Sequence, residues 1–482
     1  MDDRVEIPTL QARPYERFLT RIVDDYLGSV CASVVKVFHK SGPLPLPLIG
    51  RDCQPALQSA HVKSALKSLI QHGMVTSSPT GPKGVSLFEL DEREICLRIR
   101  VPKYVAFVGN LIGVEAEVAL ELLGEHGRLT VHDLIERFRT SQQDASAKGE
   151  QRFLQCLQSL CDQRFLVQVD LPSEDGDHGK EPAAPSTKLA PPQNEFNVDE
   201  NPDAVVKINH ERFTFAFRNE LIVEYVSGRL DPVAGEIVRV MLLPRDRGSA
   251  PVNLTDRYEY SEMSIFDNLP EVPAVSRAQL RQYLHEMMYD NVPIIELKES
   301  ISSGEVYVVR VDAIVGELRR RHTQSIVRAK FGDEAGRIFM LLLDKKQLES
   351  KSVSDLALVS KKQTREKLYK MLEQDFVHLQ ELAKSADRNP QRTLYIWSVP
   401  LNKVYAQLRS AFMFAWVNLR ERLKRETEEA QPVIDHLRYS GAGASSLSEA
   451  DQKVYETWAK RSERLENAML RVDDDILLFR DL

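Results

Sequence analysis

Residues 360–382 read SKKQTREKLYKMLEQDFVHLQEL, and in this stretch a helical pattern changes abruptly to a strand pattern. Ser360 is a residue type that caps helix N-termini, and Leu368 and Met371 lie three positions apart, on one face of the helix that follows. Phe376 comes eight positions after Leu368, where the apolar spacing changes to the alternation of a strand. The stretch therefore predicts a basic helix, a sharp turn and a strand.

The same spacing occurs three more times along the chain. The other copies are Leu66, Leu69 and Met74; Leu157, Leu160 and Phe165; and Leu284, Met287 and Val292. A helix that runs directly into a strand is the second half of a winged-helix unit. The sequence therefore predicts a mainly α fold with small β-hairpin wings, built from four tandem extended winged-helix domains and an antiparallel C-terminal coiled coil.

Changes in composition set the predicted domain boundaries. The four winged helices are expected at residues 14–100, 101–170, 201–312 and 313–400, and the C-terminal helical hairpin at 401–482. Residues 171–200 are rich in Pro, Asp, Glu, Ser and Ala and lack apolar periodicity, which predicts a disordered acidic linker. We also expect one helix over residues 15–40, a short or missing wing in the second unit, and Ser446 as a cap of the last helix.

The overall composition is that of a multidomain globular protein. The 482 residues are 43% hydrophobic and 28% charged, which fits about three to five domains. No apolar stretch approaches the roughly 20 residues of a membrane span, and the start of the chain is not signal-like, so we expect a soluble intracellular protein. Five cysteines without a CxxC pair predict free thiols rather than disulfides or a zinc site.

The residues give no sign of catalytic chemistry. There is no GxxxxGK[ST] phosphate loop and no HExxH metal motif, and Cys156 and Cys161 have no histidine partner nearby. The carboxylates Asp473, Asp474 and Asp475 lie within an amphipathic helical pattern and are interpreted as a solvated face. We therefore predict no catalytic residue, no metal and no cofactor.

Basic residues mark the candidate contact surface. The net charge is −7, yet residues 315–370 hold 14 Lys and Arg against 7 Asp and Glu. The candidate DNA contacts are Lys361, Lys362, Arg365 and Lys367 on the helix of the fourth unit, His61, Lys63 and Lys67 on the matching helix of the first, and Lys83 at its wing tip. Contact with DNA, contact with protein and a merely solvated face all remain open for these residues. Residues 319–322, Arg-Arg-Arg-His, are either a helix surface or a nuclear import signal.

Several segments carry a resemblance to a known family. Residues 330–339 (KFGDEAGRIF), 345–346 (KK), 355–357 (DLA), 367–372 (KLYKML) and 376–381 (FVHLQE) resemble the large winged-helix subunit of eukaryotic RNA polymerase III. The resemblance covers essentially the whole chain and is strongest over residues 331–399. This subunit belongs to the detachable initiation heterotrimer of the polymerase and is related to the alpha subunit of the general factor TFIIE.

The resemblance implies a non-catalytic role in the nucleus. Such a subunit supports initiation at tRNA, 5S rRNA and other small RNA genes by holding or opening promoter DNA. The implied partners are the RNA polymerase III core, the two other heterotrimer subunits, TFIIIB and promoter DNA, with no membrane partner. Which basic residues meet DNA is inferred from their positions alone.

Two other classes remain open at this stage. Winged helices in cullin-like and PCI-type assemblies are protein scaffolds that do not touch DNA, and the acidic net charge favours such a role. A sequence-specific transcription factor usually has a recognition helix rich in Arg, Asn and Gln, and the four helices here do not have that composition.

Overall fold

The computed structural model describes residues 9–53, 57–78, 86–141, 147–169, 201–244, 257–270, 275–300, 304–383, 393–440 and 448–482. The chain divides into two compact units, residues 1–285 with 295–309 and residues 286–294 with 310–482. Mainly helical segments alternate with small antiparallel sheets. Within the described ranges, no helix is long and apolar enough to cross a membrane.

The first repeat occupies residues 9–97. Its elements are α1 (Thr9–Leu27), α2 (Ser29–Ser41), β1 (Leu44–Pro45), α3 (Leu46–Asp52), α4 (Ser59–Gln71), β2 (Val75–Ser78), β3 (Leu87–Leu90) and α5 (Glu92–Leu97). Strand β3 lies between β1 and β2. The single helix expected over residues 15–40 is wrong, because Gly28 adopts a φ of +86° and divides it into α1 and α2.

The second repeat occupies residues 101–208. Its elements are α6 (Val101–Leu111), α7 (Val114–His126), β4 (Leu129–Thr130), α8 (Val131–Ser141), α9 (Ala147–Asp162), β5 (Leu166–Gln168) and β6 (Val205–Ile208). Strand β6 lies between β4 and β5. Its Val206 pairs with Leu129 of β4, and its Ile208 pairs with Leu166 of β5.

This sheet corrects one expectation. The wing of the second repeat is present and short, which is one of the two alternatives expected, but residues 205–208 belong to its sheet rather than to the third repeat. Residues 171–200, the predicted linker, lie outside the described residues, and the strands that precede and follow them are neighbours in one sheet. The sequence did not predict strand β6, because four residues show little alternation of their own and the hydrogen-bonding partners of the strand are far away along the chain.

The third repeat occupies residues 210–309. Its elements are α10 (His210–Arg229), α11 (Pro232–Met241), α12 (Glu262–Asn268), α13 (Arg277–Tyr289), β7 (Ile295–Ser300) and β8 (Gly304–Val309). Tyr260 forms a β-bridge with Tyr307 of β8, at the place that β1 and β4 occupy in the earlier repeats. Gln279 and Ser276 bond reciprocally at the start of α13, as their capping-box spacing predicts.

The fourth repeat occupies residues 311–398. Its elements are α14 (Val311–Phe331), α15 (Asp333–Lys345), β9 (Gln347–Glu349), α16 (Ser350–Ala357), α17 (Lys361–Glu373), β10 (His378–Ala383) and β11 (Thr393–Ser398). Strand β11 lies between β9 and β10. Leu368, Met371 and Phe376 are at most 1% exposed, so the apolar pattern of residues 360–382 lines the core of this repeat.

In each repeat, a residue just after the last helix donates a backbone hydrogen bond of 2.9 Å to a carbonyl near the end of that helix. The donor and acceptor pairs are Met74 to Leu69, Phe165 to Leu160, Ile294 to Met287, and Phe376 to Met371. The prediction of Val292 as the last member of the third copy is therefore wrong, because Ile294 takes that place. Seven positions rather than five separate the bonded residues there, so that Ile294 is buried and Val292 is only half-buried.

Two long helices complete the second compact unit, which holds residues 310–482. They are α18 (Leu401–Ser440) and α19 (Glu449–Ile476). Trp458 Nε1 of α19 donates to Thr427 Oγ1 of α18 at 3.3 Å. The ring of Phe479, in the helical turn Leu477–Asp481 that follows α19, lies 5.5 Å from that of Phe412 of α18, so the helices run antiparallel. Ser448 caps α19, and the predicted cap Ser446 lies outside the described residues.

The run Asp473 to Asp475 is not the uniformly solvated face that the sequence predicts. Asp473 is 3% exposed, and a carboxylate oxygen of Asp475 lies 2.8 Å from His322 Nε2. Only Asp474 of the three is well exposed. The periodic pattern missed this because Asp475 near the end of α19 contacts His322 of α14, which is far away along the chain.

A buried polar cluster ties α5 to the start of α10 in the first unit. His210 is 6% exposed, with Nε2 3.3 Å from a carboxylate oxygen of Glu94 and Nδ1 3.3 Å from the hydroxyl of Tyr104. Arg93 and Glu211 form a second ion pair at 3.0 Å between the same elements. Burial raises the pKa of a carboxyl group, but His210 and neighbouring cations outweigh it and lower the pKa of Glu94 to about 2.

This cluster predicts a loss of stability in acid. The Glu94 pKa is lower in the folded than in the unfolded chain, so its contribution is full above the ordinary value of 4.5 and disappears as pH falls towards 2. We expect Glu94→Gln to lower the free energy of unfolding at pH 7 on the order of 2 kcal/mol. Urea unfolding at pH 7, 4 and 3 should show the two proteins converging in acid. Glu121→Gln, at an exposed site, is the control, and a Glu94→Gln deficit independent of pH would contradict this role.

Candidate nucleic-acid interface

Helix α17 presents three cations to solvent. Ser360 caps its N-terminus by accepting a hydrogen bond from the backbone N–H of Gln363, and the opposite face of the helix is buried in the core. Lys361, Lys362 and Arg365 are exposed. Within the described part of the chain these three form no ion pair or hydrogen bond. Their charges are therefore available to an anionic partner.

The position of these charges on the helix is unfavourable for the protein alone. Lys361 and Lys362 occupy the first turn, where the helix dipole is positive, and no acidic residue shares that turn. A cation at this end costs roughly 0.3–1 kcal/mol, whereas an anion there is stabilised by the free backbone N–H groups. A bound phosphate would relieve this repulsion.

Lys367, the fourth predicted contact on α17, already has partners within its own repeat. Its Nζ donates to the backbone carbonyl of Phe331 at 2.8 Å and lies 4.0 Å from Glu334. The side chain is only 21% exposed, because it stabilises the C-terminal end of α14. Lys370 is exposed but pairs with Glu366, four positions earlier, at 2.8 Å.

Helix α4 carries the second group of predicted contacts. His61, Lys63 and Lys67 are all exposed, and the helix contains no acidic residue. None of the three has an ion pair or hydrogen bond among the residues that the structure describes. The opposite face of the helix buries Val62 and Leu66. Lys83 lies outside the described residues.

The basic run at residues 319–322 is engaged within its own unit. Arg319 donates to the carbonyl of Leu478 at 2.8 Å, Arg320 pairs with Asp344 at 3.3 Å, Arg321 pairs with Glu317 at 2.8 Å, and His322 pairs with Asp475. These contacts favour the interpretation as a helix surface over that as an import signal.

Two further features bear on chemistry. His132, Asp133 and Glu136 lie close enough to share a cation, but all three are exposed at the start of the amphipathic helix α8.

The five cysteines are free thiols, as predicted, and burial raises the pKa of Cys161 to about 12. A thiol with that pKa is protonated and is not a nucleophile at neutral pH.

Sequence comparisons identify what this architecture belongs to. A family model for the RNA polymerase III subunit RPC82 helix-turn-helix domain matches residues 17–78, and one for RNA polymerase III subunit RPC82 matches residues 136–318. A model for the C-terminal winged-helix domain of POLR3C matches residues 323–399, the fourth repeat.

Curated relatives extend the match along the chain. The DNA-directed RNA polymerase III subunit RPC3 of Bos taurus is 26% identical over 95% of this chain and 96% of its own length, and that of Homo sapiens is also 26% identical over the same shares. The rpc3 subunit of Dictyostelium discoideum is 27% identical over 56% of this chain and 42% of its own length. The chain therefore belongs to the RPC82/RPC3 family, the third-largest, accessory and non-catalytic subunit of DNA-directed RNA polymerase III.

Proposed function

We propose that this chain supports transcription initiation by RNA polymerase III by holding promoter DNA and helping to open it. The observation that carries the proposal is a set of exposed basic residues on α4 and α17 that form no ion pair among the described residues. These are the last helices before the wings of the first and fourth repeats. In winged-helix and helix-turn-helix proteins, this helix is the one that meets the DNA groove or backbone.

The proposed architecture is four tandem extended winged helices followed by an antiparallel coiled coil. The recurring order of helices and strands, with the last strand central in three sheets, supports it. We propose that the second winged helix spans residues 101–208 and that residues 171–200 are an insert in its wing. The helices α18 and α19 would form the coiled coil.

The proposed partners are the polymerase core, the two other subunits of the initiation heterotrimer, TFIIIB and promoter DNA at tRNA, 5S rRNA and other small RNA genes. The proposed site of action is the nucleus. The DNA contacts would be Lys361, Lys362 and Arg365 on α17, with His61, Lys63 and Lys67 on α4. These contacts would be to phosphates and independent of base sequence.

A second candidate is a scaffold that contacts only protein. The wing of the fourth repeat favours it, because Leu382 and Tyr395 on β10 and β11 are 41% and 39% exposed. A scaffold should bind DNA weakly and with a shallow dependence on salt, whereas a promoter-binding subunit should lose affinity steeply as salt rises.

Purification through a tag on this chain from nuclear extract tests the assembly. We expect mass spectrometry to find the RNA polymerase III core in near-equal amounts, together with two smaller partner subunits. Recovery of a different stable complex that lacks the smaller partners and the initiation factors would contradict the proposed initiation role and favour the scaffold.

A further inference from the structure

Leu358 occupies an unusual position in the turn between α16 and α17. Its backbone is left-handed, with φ +53° and ψ +46°, and its side chain is 84% exposed. A left-handed backbone suits Gly or Asn, and it is a strained outlier for a bulky residue. Because neither the backbone nor the exposure benefits from leucine, the fold alone does not explain this residue.

The turn holds the leucine outward. Val359, the next residue, is 7% exposed, and its carbonyl accepts hydrogen bonds from Ser354 Oγ at 2.8 Å and from Thr364 Oγ1 at 3.4 Å. Ala357, the preceding residue, is also 7% exposed. Two buried neighbours therefore anchor the turn on both sides of Leu358. The side chain projects from a fixed position.

The surroundings of Leu358 match nucleic acid. Leu356, two residues earlier, is 55% exposed, and Lys361 and Lys362 follow at the N-terminus of α17. The turn thus presents a small apolar projection beside cations that have no ion-pair partner among the described residues. DNA offers the complementary pair of surfaces, a phosphate backbone for the lysines and base faces for the leucine.

The observations favour DNA over a protein pocket. Apart from Leu356, the exposed residues nearest in sequence are polar, namely Asp355, Ser360 and Lys361. Two leucines cover only a small part of the roughly 1,200–2,000 Å² that a stable protein interface buries. Proteins that distort DNA, by contrast, insert single Leu, Ile or Met side chains between base pairs and hold the flanking phosphates with cations.

We infer that Leu358, supported by Leu356, is a wedge that inserts between base pairs of duplex DNA held at α17 and unstacks them. This inference rests on the proposed DNA contact of Lys361 and Lys362. The wedge adds a task to that contact, because the phosphate contacts position the duplex and the leucine separates its bases.

The test uses the full-length chain and a duplex with 2-aminopurine beside a short mismatched bubble, where the probe brightens when its base unstacks. The chain should raise the fluorescence, and Leu358→Met, which keeps an apolar side chain, should retain this effect. Leu358→Asn should keep DNA affinity within about twofold while its unstacked fraction falls by about tenfold, because the phosphate contacts remain and the wedge is lost. Its melting temperature should equal or exceed that of the parent, because Asn accepts the left-handed backbone.

The outcomes separate the wedge from the proposed function. If the parent protein does not bind the duplex, the DNA role of α17 and the wedge both fail. If it binds and the Leu358→Asn protein unstacks the probe as well as the parent does, only the wedge fails. If Leu358→Asn instead removes a co-purifying subunit and leaves the fluorescence unchanged, Leu358 is a protein contact and the wedge is wrong.

Discussion

Changing Lys361, Lys362 and Arg365 together to glutamate should lower the affinity of the full-length chain for duplex DNA by about 100-fold near 0.1 M salt. Each cation that contacts a phosphate releases a counterion, so losing three contacts should also reduce the slope of log affinity against log salt by about three. The three side chains are exposed and face away from the core, and glutamates suit the positive N-terminal end of the helix dipole, so the melting temperature should equal or exceed that of the parent. Fluorescence anisotropy over a range of salt concentrations measures both quantities.

The matched control reverses the charge of three basic residues elsewhere in the second compact unit. Lys424 and Arg425 on α18 and Lys460 on α19 are also exposed. Changing these three to glutamate alters the net charge equally, so it should alter long-range attraction to DNA but leave the salt slope nearly unchanged. Equal losses in the two triple variants would show that α17 has no special role.

Val206→Asp should unfold the second repeat, although Val206 follows the acidic segment that the sequence assigned to a linker. Val206 is 2% exposed in strand β6, where it lies between Leu129 and Gln168 of the neighbouring strands. An unpaired carboxylate buried there should cost roughly 3–5 kcal/mol of folding free energy. Hydrogen exchange should show loss of protection in β4, β5 and α9 as well as in β6.

The control is the same substitution at an exposed valine. Val454 on α19 is 44% exposed, and aspartate there should change stability by less than about 1 kcal/mol. If Val206→Asp disturbs only residues after 210 and leaves α9 protected, β6 would belong with the third repeat. The boundary at residue 200 expected from composition would then be correct.

The helical half of each repeat could be predicted because it depends on residues close in sequence. Leu368, Met371 and Phe376 are neighbours on one helix and its exit, and all three are buried where the spacing indicates. The exit hydrogen bond explains why the pattern recurs, since the residue after the turn must return to the core that the helix has just covered. Ser276 with Gln279 is equally local, and its capping prediction is confirmed.

The errors in the fold concern contacts between distant residues. Strand β6 gains its hydrogen bonds from strands that precede residues 171–200, and Asp475 gains its partner His322 from a helix more than a hundred residues earlier. Gly28 is a different case. A helical pattern continues on both sides of it, and only its positive φ ends α1.

The candidate site shows the same division. Basic residue types on α17 could be predicted, and so could their general exposure, because Leu368 and Met371 define the buried face. What could not be predicted is which cations the protein itself uses, since Lys367 bonds to Phe331 of another helix. The strained backbone of Leu358 was equally invisible, because leucine is not a residue type that indicates a left-handed turn.

Promoter opening by the assembled polymerase tests the central proposal most directly. Polymerase containing the Lys361, Lys362 and Arg365 charge-reversal variant would be compared with the parent on a tRNA promoter, using permanganate reactivity of unpaired thymines. We expect full assembly with all subunits and clearly reduced thymine reactivity in the start region. Normal opening by a fully assembled variant polymerase would contradict a DNA-holding role for α17.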